Sequence, residues 1–568
     1  MEEIYLDLDA TGEAPIETVV VLFTMKYCES NLKISFISSP LAVATFPINL
    51  DGFSYEILKD SEEIPEEATS CQLPALKLTP TSFVAGLCAC LRQIIKLKLT
   101  EDSDHYSRHL LGFKDSCLLA PSESSPWTRF CEVELISTLH HLGNIGEQLP
   151  ETIARFEVHM SQPVRLHNIH KYTMSKKFTS NVTKDSSILP EHIFAEGSFM
   201  TLADVIIFVN IHILFHHLSS ISLNSLLPLT SKWRDRMAAE TAISKCLSAI
   251  SLRQRPVSQI EHILPEVANQ SLYKSDAKRY KPRNKVYTRQ EEVEASLEIV
   301  ETLEVKMDVS STPFAADVPI NWLEIPHEAN PEGGSLPESR SKRKFEQLEN
   351  LCRPVLKLAR RGDVIVDFCA GSGHLGILIA YLRQDCTVVI LENKEESLNR
   401  AKLRVKKLKL ENVKFYQCNL DYFRGQFDIG TSLHACGVAT DLVIQHCLQR
   451  NAVFVCCPCC YGSVQDLPHL TYPRSETFKR RMQLREYLVL GHAADQTHDE
   501  ANKKTKQGYQ CMAVIDTDRR LQAEERGYAV VLAKLVPETC TPKNNLLVGV
   551  PEERIVDDVL SVYLKDFL

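Results

Sequence analysis

"DVIVDFCAGSGHLGILIAYL", Asp363 to Leu382, holds three signals in succession. A β-branched run reads as a strand, a glycine cluster as a turn, and a second apolar run as a helix. Gly371, Gly373 and Gly376 stand in G-x-G-x-x-G spacing, the pattern that lets a backbone turn tightly and open a helix at the end of a strand. The rest of the chain decides which ligand such a turn would serve.

Asp367 stands at the end of that strand, four positions before Gly371. A carboxylate aimed at the loop repels a pyrophosphate, but it attracts the cationic amino-acid end of S-adenosylmethionine, which carries no phosphate. Nicotinamide binding therefore takes second place. "TVVILENK" supplies a second strand ending in Glu392, where a carboxylate can accept from both ribose hydroxyls. "NVKFYQCNLDYF" is a third strand with Asn419 and Asp421 at its exit. "QFDIGTSLHACGVATDLVIQHCL" gives a fourth strand, a loop and a helix, and "NAVFVCCPCC" a fifth. This alternation predicts a Rossmann-like, doubly wound domain over residues 341–568.

Asn419 and Asp421 resemble the polar pair that recognises adenine in class I methyltransferases. "VDFCAGSGHLGI", "LENK", "LHACGVATD", "CCPCCYG" and "TPKNNLLVGVP" together resemble a vertebrate family that joins a glutathione-transferase-like front half to a methyltransferase-like back half. The back half is also similar to a wider methyltransferase group that includes eukaryotic tRNA 2′-O-methyltransferases, which share a His-x-Cys-Gly loop at the position of His434 to Gly437. The resemblance implies S-adenosylmethionine held by Asp367, Cys369, Gly371, Gly373, Glu392, Asn419, Asp421 and His434. It also makes RNA a candidate acceptor.

Methyl transfer from a sulfonium needs alignment of the acceptor and, for some acceptors, removal of a proton. His434, in the loop after the fourth strand, is the candidate general base; hydrogen bonding to a neighbouring loop is its alternative role. The loop reads "HACG" and not Asn/Asp-Pro-Pro-aromatic, which disfavours an amide or N6-adenine acceptor. No Lys-Asp-Lys-Glu series can be placed on these strands either, so the acceptor stays open.

"FVCCPCCYG", Phe454 to Gly462, concentrates four of the nineteen cysteines. Cys456 with Cys459, and Cys457 with Cys460, each make Cys-x-x-Cys, and His434 and Cys436 could complete a zinc site. The two separated knuckles of a structural zinc site are missing, however, and a thioredoxin-type pair should open a helix. No metal is expected. Pro458 is expected to bend the chain so that Cys459, Cys460 and Tyr461, with Cys436, line an acceptor pocket.

In the front half, "TVVVLFT", Thr18 to Thr24, reads as the first strand and "CQLPALKL" as a later one. This arrangement resembles the thioredoxin-like N-terminal unit of glutathione transferases and sets that unit at residues 1–106. The resemblance implies Tyr27, Cys28 or Ser30 at the glutathione-activating position and a cis-proline at Pro74. Residues 107–252 have helical periodicity. In "EGSFMTLADVIIF", Thr201 and Asp204 make a capping box, with Met200 and Val205 as hydrophobic staple. Together with "LPLTSKWRDRM" this resembles the all-helical C-terminal domain of the same transferases, kept here for protein contacts rather than for substrate.

Residues 253–340 read as a linker, partly disordered. Its basic cluster, Lys274, Lys278, Arg279, Lys281, Arg283, Lys285 and Arg289 with Tyr273, Tyr280 and Tyr287, could hold a nucleic-acid strand. A second basic group, Lys479, Arg480, Arg481, Lys503, Lys504 and Lys506, lies in an insertion after Tyr461 that would overhang the acceptor side. A net charge of −9 speaks against coating nucleic acid by bulk charge, and no DNA partner is expected. The acidic first residues lack a secretory signal, and the longest apolar stretch carries Asp204, Asn210, His212, His216 and His217, so a cytoplasmic protein without a membrane span is expected. The expected fold is multidomain, α/β and all-α. Three functions fit it: a methyltransferase with an accessory module, a non-catalytic scaffold that keeps both folds, or a glutathione-binding enzyme.

Overall fold

In a computed structural model of the chain, residues 2–555 are described except for 60–63, 166–167, 169–190, 219–221, 253–259, 275–288, 335–337, 468 and 498–503. Lys278, Arg279, Lys281, Arg283, Lys285, Tyr280, Tyr287 and Lys503 therefore lie outside the described residues. The chain forms two compact units: 1–277 with Tyr422–Arg424, and 278–421 with 425–568.

The first unit contains β1 (Glu3–Leu8), β2 (Ala14–Pro15), β3 (Lys33–Ser38), β4 (Thr45–Phe46), β5 (Tyr55–Leu58), β6 (Ala75–Thr79) and β7 (Ser82–Ala85). Five of them run in the order β7-β6-β1-β3-β5, while β2 and β4 form a separate ladder. β1, β3 and β5 are parallel; β6 and β7 complete the sheet antiparallel, and the Leu73–Pro74 bond before β6 is cis, as expected.

The "TVVVLFT" run is not a strand. It lies inside helix α1 (Ile16–Tyr27), in which ten of twelve residues are buried. A short run that is apolar on every side has no period, so a buried helix and a buried strand look alike in it. Thr24 shows the helical solution, its hydroxyl donating to the Val20 carbonyl at 2.9 Å. Tyr27, Cys28 and Ser30 consequently end a helix and do not follow the first strand.

In helix α2 (Leu202–Leu218) the expected cap forms by half. Asp204 accepts from the Thr201 amide at 2.9 Å and from its hydroxyl at 3.2 Å. It also takes the Ala195 amide and the indole N–H of Trp233 in helix α3 (Pro228–Ala239). One buried carboxylate thus joins the two stretches that carried the helical-domain reading. The segments expected as separate units at 1–106 and 107–252 share a single apolar core running from Ile4 to Leu272. Tyr273, read as a base-stacking residue, packs instead against Trp127, with ring centroids 5.1 Å apart.

The second unit has β8 (Val364–Phe368), β9 (Thr387–Leu391), β10 (Val413–Gln417), β11 (Ile429–Cys436), β12 (Val453–Cys459), β13 (Tyr528–Lys534) and β14 (Asn545–Pro551). Their order is β10-β9-β8-β11-β12-β14-β13; the first five are parallel, and β14 and β13 return antiparallel. The chain leaves β8 toward one edge and returns at β11 toward the other. A crevice opens at the carboxyl ends where that order reverses.

Two expectations fail here for the same reason: scattered apolar residues in a polar stretch were packing residues. Within the supposed linker, α4 (Gln290–Glu301) forms, and Glu292 pairs with Arg485 of α9 (Leu484–Ala494) at 2.9 Å. Phe314, Ala315, Ile325 and Ala329 enter the core beside residues of α5 (Glu338–Leu358), α6 (His374–Leu382) and α7 (Glu395–Leu408). Within the supposed insertion, α10 (Thr505–Glu524) is a largely buried crossover packed on β13 and β14. Helix α8 (Val438–Gln449) covers β11 and β12.

Arg519 of α10 is 1% exposed and forks onto Asp441 of α8 at 2.8 and 2.6 Å, with a third bond of 2.9 Å to Asp516. Removing one member of such a buried ionic group leaves the others charged and unpaired, which costs about 3–5 kcal/mol. Arg519→Ala is therefore expected to lower the urea unfolding midpoint by that much stability. Arg519→Lys should recover only part, since one ammonium cannot reproduce the bidentate fork.

Candidate functional site

Asp367, second from the end of β8, is buried, and its Oδ2 accepts the Gly376 amide at 2.8 Å. A Cβ on Gly376 would lie 3.1 Å from that oxygen, so glycine lets α6 close onto the strand. Cys369, Gly371 and Gly373 all have positive φ, at 54°, 58° and 72°, and carry the chain around the loop. A Cβ at Gly373 would meet Ala401 at 3.0 Å, whereas one at Gly371 meets nothing within 4 Å and points into open space. Burial raises the Asp367 carboxyl to about 7, against the pull of the Gly376 amide and of Lys344.

Glu392 follows β9 and is buried under the loop. Its Oε2 accepts the Gly371 amide at 2.7 Å and its Oε1 the Lys394 amide at 2.9 Å. Each oxygen keeps a second lone pair that could accept from a ligand hydroxyl. Asn419 is buried beyond β10; Asp421 pairs with His469 at 3.3 Å. Arg404 of α7, 5% exposed, donates to the carbonyls of Ser372, Glu328 and Asn330 and so clamps the glycine loop to the segment before α5.

The sequence reading missed Lys344 of α5. Burial pulls its ammonium below the ordinary lysine value, while Asp367 pulls it back. The same charge acts on His374 and on His434, so this cation stands among the carboxylate of one strand end and the imidazole of the next. "SRSKRKFEQLENL" reads as a basic cluster at the start of the domain, and nothing in it singles out one lysine.

His434 lies within β11 and not in a loop after it, at a register irregularity between Leu433 and Cys436, with φ of 66°. Its Nε2 is 3.1 Å from Gln347 Oε1, and the Gln347 amide nitrogen donates to the Cys540 carbonyl. That second bond fixes the amide's orientation, so the imidazole must donate from Nε2 and present Nδ1 as its acceptor. Burial, with Lys344 nearby, lowers His434 to about 4. Of its two expected roles, the hydrogen bond to a neighbour is present, made to helix α5 and not to a loop.

The expected acceptor wall is brought together in part. Cys436 is exposed and Cys460 half-buried, and Cys459 is buried beside them. Pro458 does not bend the chain: β12 runs through it to Cys459, and the turn falls at Cys460, with φ of 52°. Tyr461 lines no pocket. It is fully buried, its hydroxyl donating to Asp516 at 2.7 Å, because the ionic group around Arg519 needs that donor. Cys456 and Cys457 lie in the buried interior of β12, and residues three apart on a strand are roughly 10 Å apart, so neither Cys-x-x-Cys pair closes. Lys479 is exposed and paired with Glu476.

The strand order, the glycine loop and the acids at the ends of β8 and β9 define the second unit as a methyltransferase domain, and residues 342–467 match a family described as a methyltransferase domain. The particular family is given by near full-length relatives: the chain belongs to the glutathione S-transferase C-terminal domain-containing proteins. It is 40% identical to the homolog from Drosophila melanogaster, over 97% of this chain and 99% of that protein. It is also 25% identical to a tRNA:m(4)X modification enzyme of Schizosaccharomyces pombe, over 33% of this chain and 62% of that one. A tRNA (uracil-54, C5)-methyltransferase of Pyrococcus abyssi aligns in structure at 15% identity and a TM-score of 0.21, covering 36% of this chain and 38% of that one.

Gly371→Ala and Gly373→Ala separate backbone strain from crowding. Both substitutions place a side chain at positive φ, which costs about 1–2 kcal/mol. Only Gly373→Ala also pushes against Ala401 and Ile390. Chemical unfolding should therefore show the larger loss for Gly373→Ala.

Proposed function

We propose that the second unit is an S-adenosylmethionine-dependent methyltransferase acting on a hydroxyl of an RNA-type acceptor. The observation that carries this reading is the pair of buried carboxylates, Asp367 and Glu392, hydrogen-bonded to the glycine loop and the helix it opens at the reversal of strand order. When bound, the donor supplies a methyl group on a sulfonium, a strong electrophile that needs no further activation. Asp367 would attract the donor's ammonium, Glu392 would accept from ribose hydroxyls, and the open space at Gly371 would leave the donor room beside the loop. Lys344, whose charge acts on Asp367, would pair with the donor's carboxylate.

His434 then faces the acceptor. A base held near 4 draws little proton from a hydroxyl in the ground state, so Nδ1 first orients the hydroxyl by accepting its hydrogen bond. It takes the proton as the new carbon–oxygen bond makes that oxygen acidic. The relationship to a tRNA-modifying enzyme supports RNA as the acceptor.

For the first unit we propose a protein-contact role. Cys28 is buried, its thiol raised to about 12, and the Tyr27 hydroxyl is occupied by His109 at 3.2 Å. Neither offers a group ready to activate glutathione.

Calorimetric titration with S-adenosylmethionine tests the donor reading. Asp367 is largely protonated below pH 7 and charged above it, and a cationic ligand prefers the charged form. Affinity should rise about tenfold between pH 6 and 8, the change in ionised fraction for a group near 7. Asp367→Asn should weaken binding and flatten that dependence. No binding by the folded protein would leave the scaffold reading in place. The acceptor is tested with labelled methyl donor and separated RNA and protein fractions: label confined to protein would overturn the RNA proposal.

A further inference from the structure

Three of the nineteen thiols differ from the rest. Most cysteines are buried singly among apolar neighbours, as small core residues. Cys436, at the end of β11, has its sulfur 3.3 Å from that of Cys459 and 3.3 Å from that of Cys460, and all three sulfurs lie within 4.8 Å of one another. Three sulfurs on a tetrahedral zinc ion, with bonds of about 2.3 Å, stand roughly 3.8 Å apart. The observed triangle needs shifts of less than an ångström to match.

The backbone is built to make this triangle. Cys436 pairs with Cys459 across the ladder, just after the register irregularity of β11. The Gly437 amide donates to the Cys459 carbonyl at 2.9 Å, and a Cβ on Gly437 would strike Ser463 at 2.8 Å. Cys460 takes a left-handed conformation with φ of 52°, unusual for a residue other than glycine, and this brings its sulfur back toward Cys436. Two adjacent residues on an extended strand would send their side chains to opposite faces. The turn at Cys460 overrides that alternation.

We infer that Cys436, Cys459 and Cys460 form a three-thiolate site for one divalent ion of the zinc class, with its fourth position open to solvent. Three thiolates around a divalent ion leave one net negative charge, and the buried ammonium of Lys543, itself paired with Asp495 at 3.5 Å, lies where its charge also acts on Cys460 and Cys459. Cys436 is exposed and Cys460 half-buried, so the fourth position faces out of the protein, the arrangement of a site that keeps a place for water or substrate. His434 does not fill that position: neither of its ring nitrogens belongs to the cluster of sulfurs. A disulfide between Cys436 and Cys459 would use two of the sulfurs and leave the Cys460 turn without a purpose, whereas a metal uses all three. The site requires no methyl donor and stands independently of the methyltransferase reading.

The test uses the full chain, purified under reducing conditions without chelator. Elemental analysis should find one zinc per chain, and metal-free protein titrated with Co²⁺ should develop the tetrahedral ligand-field bands and sulfur-to-cobalt charge-transfer absorption of a thiolate site. Cys436→Ser combined with Cys460→Ser should abolish those bands and weaken zinc retention by more than about tenfold, the loss that removal of even an outer-shell partner can cause. Circular dichroism of this variant checks folding, and the wild-type cobalt spectrum does not depend on it. Absence of both zinc and a cobalt–thiolate spectrum would overturn the inference. So would zinc retained undiminished by the double variant, or a Cys436–Cys459 disulfide found by mass spectrometry in protein kept reduced.

Discussion

Arg519 sits where the second unit is held together. Its guanidinium ties α10 to α8 through Asp441 and reaches Asp516, while the hydroxyls of Tyr461 and Tyr472 and the amide of Asn545 supply the remaining donors to those carboxylates. Tyr461 lies directly beyond the turn at Cys460, and Arg519 stacks over its ring at 5.5 Å. The end of β12, the start of α8 and the return strand β14 are therefore positioned by one buried charge. A network of this kind is unstable when partly satisfied, so its members must all be present or all be replaced. The wall beside the crevice inherits its rigidity from that requirement.

The opposite side of the crevice is ordered differently. Asp367 and Glu392 give part of their accepting capacity to the backbone of the glycine loop and the helix it opens. The loop is thus pre-organised before any ligand arrives, at the cost of keeping two carboxyls in a poorly hydrated place. Lys344, from the helix before β8, supplies a cation to Asp367, and Arg404, from the helix after β9, holds the loop through the Ser372 carbonyl.

Much of this was legible in the residues. The strand, glycine turn and helix from Val364 to Leu382 read correctly because parallel strands buried on both faces are continuous apolar runs, and because positive φ selects glycine. Thr201 and Asp204 announced the start of α2. The failures share a cause as well. "TVVVLFT" is apolar on every side and carries no period, so its state was settled by what packs around it. The stretch from Gln290 to Asn330 looked like a linker because its few apolar residues are widely spaced, yet Phe314, Ile325 and Ala329 are core residues whose partners lie far along the chain. Pro458 looked like a bend, but the strand passes through it at an irregularity of the ladder.

The sequence by itself determined the doubly wound half, its glycine loop and the two acids that face it, since these depend on local pattern and on residue types that few other structures tolerate. Tertiary structure alone decided which polar residues meet. Tyr461 was drawn into the interior by a charge fifty-eight residues away in the chain, at Arg519. Lys344 was set beside Asp367 by a helix whose apolar residues join the core, and the cysteines of "FVCCPCCYG" were divided between a strand interior and a triangle closed by Cys436. Spacing along the chain fixes which residues share a strand. The irregularity of β11 and the left-handed turn at Cys460 fix which sulfurs share a point in space, and a linear pattern does not encode those two backbone conformations.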